Sequence, residues 1–497
     1  MFYSPLSKPI VMSANTRSKI RPEGAAEAPL DPGATAGSDS GTAAWFEPPH
    51  PRARPALLSL VRAMVRDGGD LLSLLPAQAY RMRIGPLGWS RRSTIVVNAP
   101  ELVRRVLIDE RACFPKSDLM VNALDPLIGD SMFVSEGETW RRQRRLMDPS
   151  LSQMRIDRAI PAMQACMEDA EQELSARAAR NESFSLDLAM SHLTADIICR
   201  TVFSTTLKTQ TAHEVFEAFS IFERSVAQVN ILRLIFDPAW TKPRQRPEVL
   251  AACASIRKQL GDLLDTHLVE GSNFDDIAAA VVAARDESGQ GFSRDELIDQ
   301  LGVLFLAGHE TSASALTWVF YLLAIRPDLV GRIRAEVQAV AGNGPIGLEH
   351  VKRLSFVRNV FRETVRLYPP ITFLPRVAME STRLGDYRVK RGALVIVSPW
   401  VMHRHEEYWR EPHRFDPDRF SPEREYAIQP GTYLPFGLGP RVCSGAAFAT
   451  VEATLMIARL VRKFDFHVVS TQRVRPAARL TTRPAQQIYC RVTRVGA

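Results

Sequence analysis

The segment between Ser293 and Pro327 constrains the fold of this chain more than any other. Ser293 and Glu296 form the S-x-x-E pattern of a capping box, and Arg326-Pro327 ends the helix that this pattern starts. Residues 294–325 are apolar on nearly every side, which is typical of a helix buried at the centre of a large protein. Its middle, residues 307–311 (AGHET), contains polar groups that are costly to bury without a partner or a task. The segment therefore predicts a central helix with a functional middle.

The rest of the sequence predicts a single large, mainly α domain with small β-sheets over residues 55–497. The chain has 497 residues, and 45% of them are hydrophobic, which is ample for one core. Residues 156–268 show helical periodicity, residues 80–84 and 93–98 resemble a pair of strands, and residues 119–134 have no clean period and are predicted to form a long loop. Residues 1–54 begin basic and become proline-rich, so we predict a disordered arm, with a targeting segment as the alternative.

Charge and cysteine usage exclude several classes of protein. The net charge of +8 is spread along the chain, so no nucleic-acid partner is expected, and an acidic protein or an anionic membrane surface is the better counterpart. The six cysteines form no C-x-x-C pair, which argues against a disulfide framework or a structural zinc site and favours a reducing compartment such as the cytoplasm. No run of eighteen apolar residues occurs, so no transmembrane anchor is expected.

The most specific motif surrounds Cys443 in the sequence YLPFGLGPRVCSGAAFA. Glycines on both sides of the cysteine allow backbone N–H groups to point at the sulfur and a flat group to approach closely. An apolar helix follows at once, and the positive end of its dipole is expected to favour a thiolate. Arg441 could pair with an anionic group at the edge of the flat group.

This motif, F-x-x-G-x-R-x-C-x-G, resembles the haem-binding loop of the cytochromes P450. The resemblance implies the cytochrome P450 fold around a buried haem b, with Cys443 as the axial ligand of the iron. The loop residues expected to contact the haem are Phe436, Gly437, Arg441 and Gly445, beside the motif glycine Gly439.

Motifs elsewhere in the chain extend the resemblance. Residues 307–311 resemble the A-G-x-[DE]-T motif, in which Ala307 and Gly308 leave room for O2 while Glu310 and Thr311 guide protons to it. His309 fills the variable position and is interpreted as a packing or water-contact residue rather than an iron ligand. Two further motifs imply that Glu363 is shared in a buried ion pair by Arg366 and Arg419. The remaining ones imply donors to the two haem propionates, from Trp140, Arg144 and Arg376.

The resemblance implies a monooxygenase that inserts one atom of O2 into its substrate and releases the other as water. No flavin or iron–sulfur motif occurs, so we expect electrons from a separate ferredoxin or flavodoxin with its NAD(P)H-dependent reductase, and a monomeric enzyme. A non-catalytic haem-thiolate sensor or haem-binding protein is the alternative, although an acid–alcohol pair is unnecessary there. An acidic carrier could dock on a basic face formed by Arg141, Arg142, Arg145, Arg441, Arg459, Arg462 and Lys463.

The segments that line the substrate pocket in this family are mostly apolar here, and they offer no obvious anchor for a carboxylate. A lipophilic substrate such as a terpenoid, a fatty acyl chain or a steroid is therefore expected. The apolar tip at residues 231–236 either packs on the protein or touches a membrane. The predicted pocket residues are Leu119, Met120, Leu124, Ile231, Leu232, Phe305, Ala307, Ile371, Phe373, Leu374 and Thr481.

Overall fold

The computed structural model describes residues 46–51, 55, 70–88, 90–226, 245–269 and 273–496. Helices dominate this part of the chain, as predicted. In chain order the α-helices are α1 Pro100–Arg104, α2 Asp118–Ile128, α3 Gly137–Met147, α4 Gln153–Ala179, α5 Leu186–Phe203, α6 Gln210–Val226, α7 Pro247–Leu268, α8 Ile277–Ala283, α9 Arg294–Ala324, α10 Pro327–Ala341, α11 Leu348–Arg353, α12 Ser355–Leu367, α13 Pro399–Met402 and α14 Ala446–Lys463.

Short strands form small sheets, also as predicted. The described strands are β1 Ile84–Pro86, β2 Ile95–Val97, β3 Phe184–Ser185, β4 Leu374–Val377, β5 Thr382–Leu384, β6 Tyr387–Val389, β7 Leu394–Val397, β8 Phe464–Val468, β9 Pro476–Ala478, β10 Thr482–Pro484 and β11 Tyr489–Arg494.

The apolar segment after Ser293 forms α9, the central helix. The capping box is present, because Ser293 Oγ accepts from the Glu296 N–H at 3.2 Å and Glu296 Oε2 accepts from the Ser293 N–H at 2.8 Å. Helix α9 ends before Arg326-Pro327, and α10 begins at that proline. It packs against α5, α7, α12 and α14, so nearly all of its apolar surface is buried. The helix thereby brings residues 307–311 into the interior of the protein.

The sheets position two further segments around the centre. The largest sheet has the order β1-β2-β7-β4, in which β2 and β7 are parallel and the other pairs are antiparallel. Arg376 lies opposite Val395 in this sheet, which fixes its backbone. Strands β9 and β10 form a hairpin in which Thr482 pairs with Ala478, so the connecting turn presents Thr481. Of the predicted strand pair, β2 lies within residues 93–98, whereas β1 shares only Ile84 with the predicted residues 80–84.

The predicted long loop at residues 119–134 is wrong for residues 119–128. Residues Asp118–Ile128 form α2, and the Ser117 side chain caps it by accepting from the Leu119 N–H at 3.3 Å. Pro126 lies inside this helix, where it removes a backbone donor and weakens the helical signal in the sequence. Tertiary packing of α2 against α7 and α9 stabilises the helix in spite of that residue.

Residues 46–51 contact the rest of the described chain. The Phe46 carbonyl accepts from the Phe415 N–H at 3.1 Å, and the Pro49 carbonyl accepts from the Tyr368 hydroxyl at 2.6 Å. The predicted arm at residues 1–54 otherwise lies almost wholly outside the described residues, and its boundary at residue 55 stays a prediction. No single described helix has the length and hydropathy expected of a membrane span. The helices Arg294–Ala324 and Pro327–Ala341 have them only when taken as a pair, and the pair is bent by 107°.

Candidate active site

A cavity of about 760 Å³ lies between the middle of α9 and the loop that carries Cys443. Its lining comes from α2, α3, α9, the segment that leads into β4, the turn between β9 and β10, and residues 434–449. Most of the predicted site residues meet at this cavity. Those that line it are Leu119, Met120, Leu124, Trp140, Arg144, Ala307, Gly308, Glu310, Thr311, Ile371, Phe373, Leu374, Arg376, Phe436, Gly437, Arg441, Cys443, Gly445 and Thr481.

The Cys443 loop turns tightly enough to point its sulfur into the cavity. The Cys443 N–H donates to the Phe436 carbonyl at 2.9 Å and closes the turn. Gly439 has a φ of +77°, and a Cβ there would lie 2.5 Å from Ile108 Cγ1, so only glycine fits this position. Helix α14 begins at Ala446, immediately after the loop.

Burial raises the pKa of the Cys443 thiol, although the Gly445 backbone N–H and Arg144 act in the opposite direction. The backbone N–H of Gly445, just before α14, favours the thiolate as expected, but burial has the larger effect on the thiol. The physical reason is desolvation: the sulfur is open to the cavity but surrounded by protein, where a bare negative charge is costly. A bound cation at the sulfur would reverse this balance.

One wall of the cavity is strongly cationic. The Arg441 guanidinium stacks over the Trp140 ring at 4.5 Å and donates to the Ser135 carbonyl at 2.7 Å and to Glu136 Oε2 at 2.5 Å. Arg144 donates to the Val442 carbonyl at 2.8 Å, next to the cysteine. Helix α3 and the Cys443 loop are therefore joined through two arginines that also line the cavity.

Lys116 belongs to this wall and was not found by sequence reasoning. Its Nζ donates to the Phe133 carbonyl and lies 4.0 Å from the Phe133 ring centroid. Burial lowers the pKa of Lys116 well below its usual value, and nearby Arg441 and Arg376 lower it further. The residue lies in an unremarkable sequence, FPKSD, so no motif could have identified it.

The cationic wall fits the two carboxylates of a haem. Arg376 is only 8% exposed, and within the described residues the one hydrogen bond of its side chain is to the carbonyl of its neighbour Pro375. Arg441 Nη1 is buried and has no hydrogen-bond partner there. Burial and the nearby charge of Arg441 lower the pKa of Arg376 to about 10, against the opposite effect of Glu136. Buried cations of this kind require anionic partners, and Cys443 supplies a thiolate for iron in the same cavity, so these residues fit the haem.

The opposite wall is the middle of α9. The Thr311 hydroxyl donates to the Ala307 carbonyl at 2.6 Å and borders the cavity. Gly308 is expected to leave room for O2. Its lack of a side chain also matters for packing, because a Cβ there would lie 2.3 Å from Ile198 Cδ1. The glycine therefore also lets α5 approach α9 closely. His309 packs between Phe216, Phe219 and Phe305, away from the cavity, as interpreted from the sequence.

Glu310 is held in an ion pair that sequence reasoning missed. Arg483 on β10 donates to Glu310 Oε1 at 2.9 Å and also to Oε2, and the Thr481 hydroxyl donates to Oε1 at 2.5 Å. Burial by itself would raise the pKa of Glu310, but Arg483 more than offsets this, so the carboxylate is ionised. Because Arg483 comes 173 residues later, in the sequence TTRPA, nothing near Glu310 signals the pair.

The structure brings Glu363, Arg366 and Arg419 together in the interior. Arg366 Nε and Nη2 donate to the two Glu363 oxygens at 2.7 and 2.8 Å, and Arg419 Nε donates to Glu363 Oε1 at 3.3 Å. Arg366 also donates to the carbonyls of His403, Pro412 and Arg414. Helix α12 is thereby tied to residues 403–420.

The prediction that Phe305 lines the substrate pocket is wrong. Its side chain is 1% exposed and packs against Phe219 and His309. Leu304, Ala307 and Thr311 face the cavity instead. Because each residue turns a helix by about 100°, Phe305 lies roughly 200° from Ala307 and points to the other side of α9. The predicted pocket residues Ile231 and Leu232, and the tip at 231–236, lie outside the described residues.

Part of the predicted docking face is also wrong. Arg459 is 8% exposed and donates to Glu171 at 2.6 Å. Arg142 is committed to Asp286 and Glu296. Both arginines lie on helix faces that pack against other elements, which hydropathy could not reveal. The cations of α3 that remain exposed are Arg141 and Arg145.

Comparison with known proteins assigns the family. A family model described as cytochrome P450 matches residues 77–491. The computed structure is similar to the crystal structure of cytochrome P450DA heme domain, with a TM-score of 0.76 and 24% sequence identity over 90% of this chain and 98% of that chain. This likeness supports the fold.

Relatives come from bacteria and a plant. Cyclooctatin synthase of Streptomyces melanosporofaciens is 31% identical over 86% of this chain and 92% of the relative, and pentalenene oxygenase of Streptomyces avermitilis is 29% identical over 86% and 94%. The protein LUTEIN DEFICIENT 5, chloroplastic, of Arabidopsis thaliana is 32% identical over 81% and 69%. With a thiol and a cationic wall fitted to haem in the same cavity, the chain belongs to the cytochrome P450 family and is a monooxygenase that uses haem b and O2.

Proposed function

We propose that this enzyme inserts one oxygen atom from O2 into a neutral, terpenoid-like molecule. The proposal rests on the apolar lining of the part of the cavity beside α9. Its lining is almost wholly apolar, from side chains such as Leu119, Met120, Leu304 and Phe373, while the cations gather on the other wall. An apolar pocket of this kind favours a lipophilic substrate. Two relatives, cyclooctatin synthase and pentalenene oxygenase, carry names that fit terpenoid oxidation.

The residues of the cationic wall would hold the cofactor. Cys443 would ligate the iron, and Arg376, Arg441 and Arg144 with Trp140 would bind the propionates, with Lys116 nearby. Haem with a thiolate ligand supplies the activation of O2 when it is bound. The tight Cys443 loop, fixed by Gly439, keeps the sulfur at one position.

The middle of α9 would control protons at the cavity. The Thr311 hydroxyl can give up one hydrogen bond and accept another, and the ionised Glu310 beside it can accept a proton from a donor and pass it on. The ion pair to Arg483 keeps Glu310 fixed at the cavity edge.

The electrons would come from a separate ferredoxin or flavodoxin with its reductase. The exposed arginines of α3 lie on the helix that contacts the Cys443 loop and offer a surface for an acidic carrier. A cytoplasmic location and a monomeric state remain predictions from the sequence.

An acidic lipophile is the second candidate, because of Arg479. This residue borders the cavity next to Leu480, and within the described chain its side chain forms no ion pair. A guanidinium at that position could bind the carboxylate of a fatty acid.

Titration of the ferric holoprotein with ligands, read by the shift of the Soret band, separates the two substrates. We expect neutral terpenes to shift the band equally in the wild type and in Arg479→Gln. A shift by fatty acids alone that disappears in Arg479→Gln would contradict the terpenoid proposal and favour the second candidate.

A further inference from the structure

A cluster of charged side chains from several elements lies behind the cavity wall. We call it the Glu310 cluster, and it comprises Glu310 on α9, Glu223 on α6, Asp187 on α5 and Arg483 on β10. Arg483 lies at its centre, because it holds Glu310 on one side and donates to Asp187 Oδ1 at 2.7 Å on the other. Its Nη2 also donates to Ser191 Oγ at 3.3 Å.

The Glu310 cluster has more acids than bases. It holds three carboxyl groups, and Arg483 is its one cation among the described residues. A carboxyl oxygen of Glu223, a carboxyl oxygen of Glu310 and a ring nitrogen of His309 lie within 4.8 Å of one another, and Glu223 Oε1 is buried without a hydrogen-bond partner among the described residues. Two carboxyl groups this close together repel each other when both are ionised, which favours a proton on one of them. Because Arg483 binds both oxygens of Glu310, the proton belongs on Glu223.

The cluster also joins the cavity to the outside. The side chain of Glu310 lines the cavity, whereas the side chains of Glu223 and Asp187 are 19% and 28% exposed. Glu223 therefore lies within 4.8 Å of Glu310, while its side chain keeps part of its surface exposed to solvent. This is the arrangement that a group needs if it is to receive protons from water and pass them inward.

We infer that Glu223 is the positioning residue that stores the proton entering the cavity through Glu310. The inference rests on the role proposed above for Glu310 and Thr311. In the step, the O–H bond of Glu223 breaks and a Glu310 oxygen accepts the proton. Glu310 releases that proton to the cavity beside Thr311, and the Glu223 carboxylate takes a proton from solvent at its exposed edge. No electron moves, and one proton enters for each one delivered.

The other charged and titratable groups near Glu223 are His309, Arg483 and Asp187. Burial lowers the pKa of His309, on α9, to about 4, so its ring is neutral near neutral pH. Arg483 stays protonated, and Asp187 is ion-paired with it. Burial and then the Glu310 charge raise the pKa of Glu223 well above its ordinary value. A proton on Glu223 is present below that raised pKa and is lost as the pH rises through it.

The test measures the coupling of reducing equivalents to product, against pH, in the holoenzyme. Glu223→Gln keeps the size and the polarity of the side chain but has no acidic proton. We expect a severalfold loss of coupling, a matching gain of hydrogen peroxide and a coupling that no longer falls at high pH. Glu223→Asp should restore part of the coupling, and Glu217→Gln, an exposed change on the same helix, should behave as the wild type.

Infrared spectroscopy of the resting protein provides a readout that needs no turnover. The difference between the wild type and Glu223→Gln at neutral pH should contain a carboxylic-acid C=O band, and the difference for Glu217→Gln should not. If Glu223→Gln fails to load haem, Glu223→Asp is the variant that is measured in its place.

Absence of that infrared band would overturn the inference. The inference would also be overturned if Glu223→Gln kept the wild-type coupling profile while Thr311→Ala was uncoupled in the same assay. The proposed role of Thr311 would stand in that case. If neither variant is uncoupled, the proton role of Glu310 and Thr311 fails together with the role of Glu223.

Discussion

Individual residues explain how one cavity can both bind haem and transfer protons. The cations that face the cavity are buried with too few acids, whereas Glu310 on the other side is fully paired with Arg483. The first arrangement leaves donors for an anionic cofactor, and the second leaves a fixed carboxylate at the edge of a neutral pocket.

Thr311→Ala tests the proton role at this scale. Removal of the hydroxyl at the cavity should leave haem binding unchanged but divert most reducing equivalents to hydrogen peroxide, because proton delivery becomes disordered. Product and peroxide are measured against NAD(P)H consumed. Thr317→Ala is the matched control, since Thr317 makes the same bond to the carbonyl four residues earlier but lies outside the cavity lining. Equal coupling in both variants would remove Thr311 from the proton route.

Sequence reasoning found the site residues that lie in motifs and missed those that act alone. Cys443, Thr311 and Arg376 are predicted from the resemblance of their segments to those of the cytochromes P450, and the structure brings them to one cavity. Lys116 and Arg483 reach the site from far along the chain, so no local pattern marks them. Phe305 was assigned to the wrong side because a helix that is apolar all round gives no indication of which face lines the cavity.

At the scale of elements, the contacts of Glu363 hold α12 to the segment that leads toward the Cys443 loop. Glu363→Ala leaves Arg366 and Arg419 buried without their shared acid, and should lower the free energy of unfolding by about 3–5 kcal/mol. Chemical denaturation measures this. Glu349→Ala, an exposed acid on α11, is the control and should change stability little. A stable, haem-loaded Glu363→Ala protein would show that the ion pair is dispensable.

Gly439 lets the Cys443 loop pack closely against Leu107 and Ile108, in the helical turn that follows α1. Gly439→Ala should reduce haem retention and stability, because alanine is strained at this φ and its Cβ meets Ile108. Gly385 also has a positive φ, of +58°, but a Cβ there would make only ordinary contacts with Leu102, at 3.9 Å or more, so Gly385→Ala controls for the backbone strain alone. Ile108→Ala should rescue part of the loss. Haem retention, read by absorbance, that is equal in Gly439→Ala and Gly385→Ala would contradict the contact argument.

Elements were predictable where one physical signal dominated. Helix α9 follows from a capping box, an apolar run and a terminating proline, all of which the structure contains. Helix α2 was missed, because Pro126 opposes the helix locally and its stability comes from packing against α7 and α9. The difference lies in whether local sequence or tertiary contact supplies the stabilisation.

At the scale of the whole molecule, the basic surface of α3 is expected to govern electron delivery. Arg141 and Arg145 are exposed on the helix whose Arg144 contacts the loop beside Cys443. The double variant Arg141→Glu/Arg145→Glu should slow reduction by ferredoxin severalfold at low salt, with a smaller difference at high salt because ions screen the surface. Stopped-flow reduction measures the rate. An equal charge change on β11, Arg491→Glu/Arg494→Glu, is the control; the same slowing there would indicate a net-charge effect rather than a docking face.

The account depends most directly on the sulfur of Cys443 as the ligand of the haem iron. Binding of carbon monoxide to the dithionite-reduced holoprotein tests this, because the position of the Soret band distinguishes thiolate from histidine ligation. We expect the red-shifted band of a thiolate-ligated haem in the wild type and its loss in Cys443→His. A wild-type band typical of histidine-ligated haem, or a red-shifted band that persists in Cys443→His, would contradict the account.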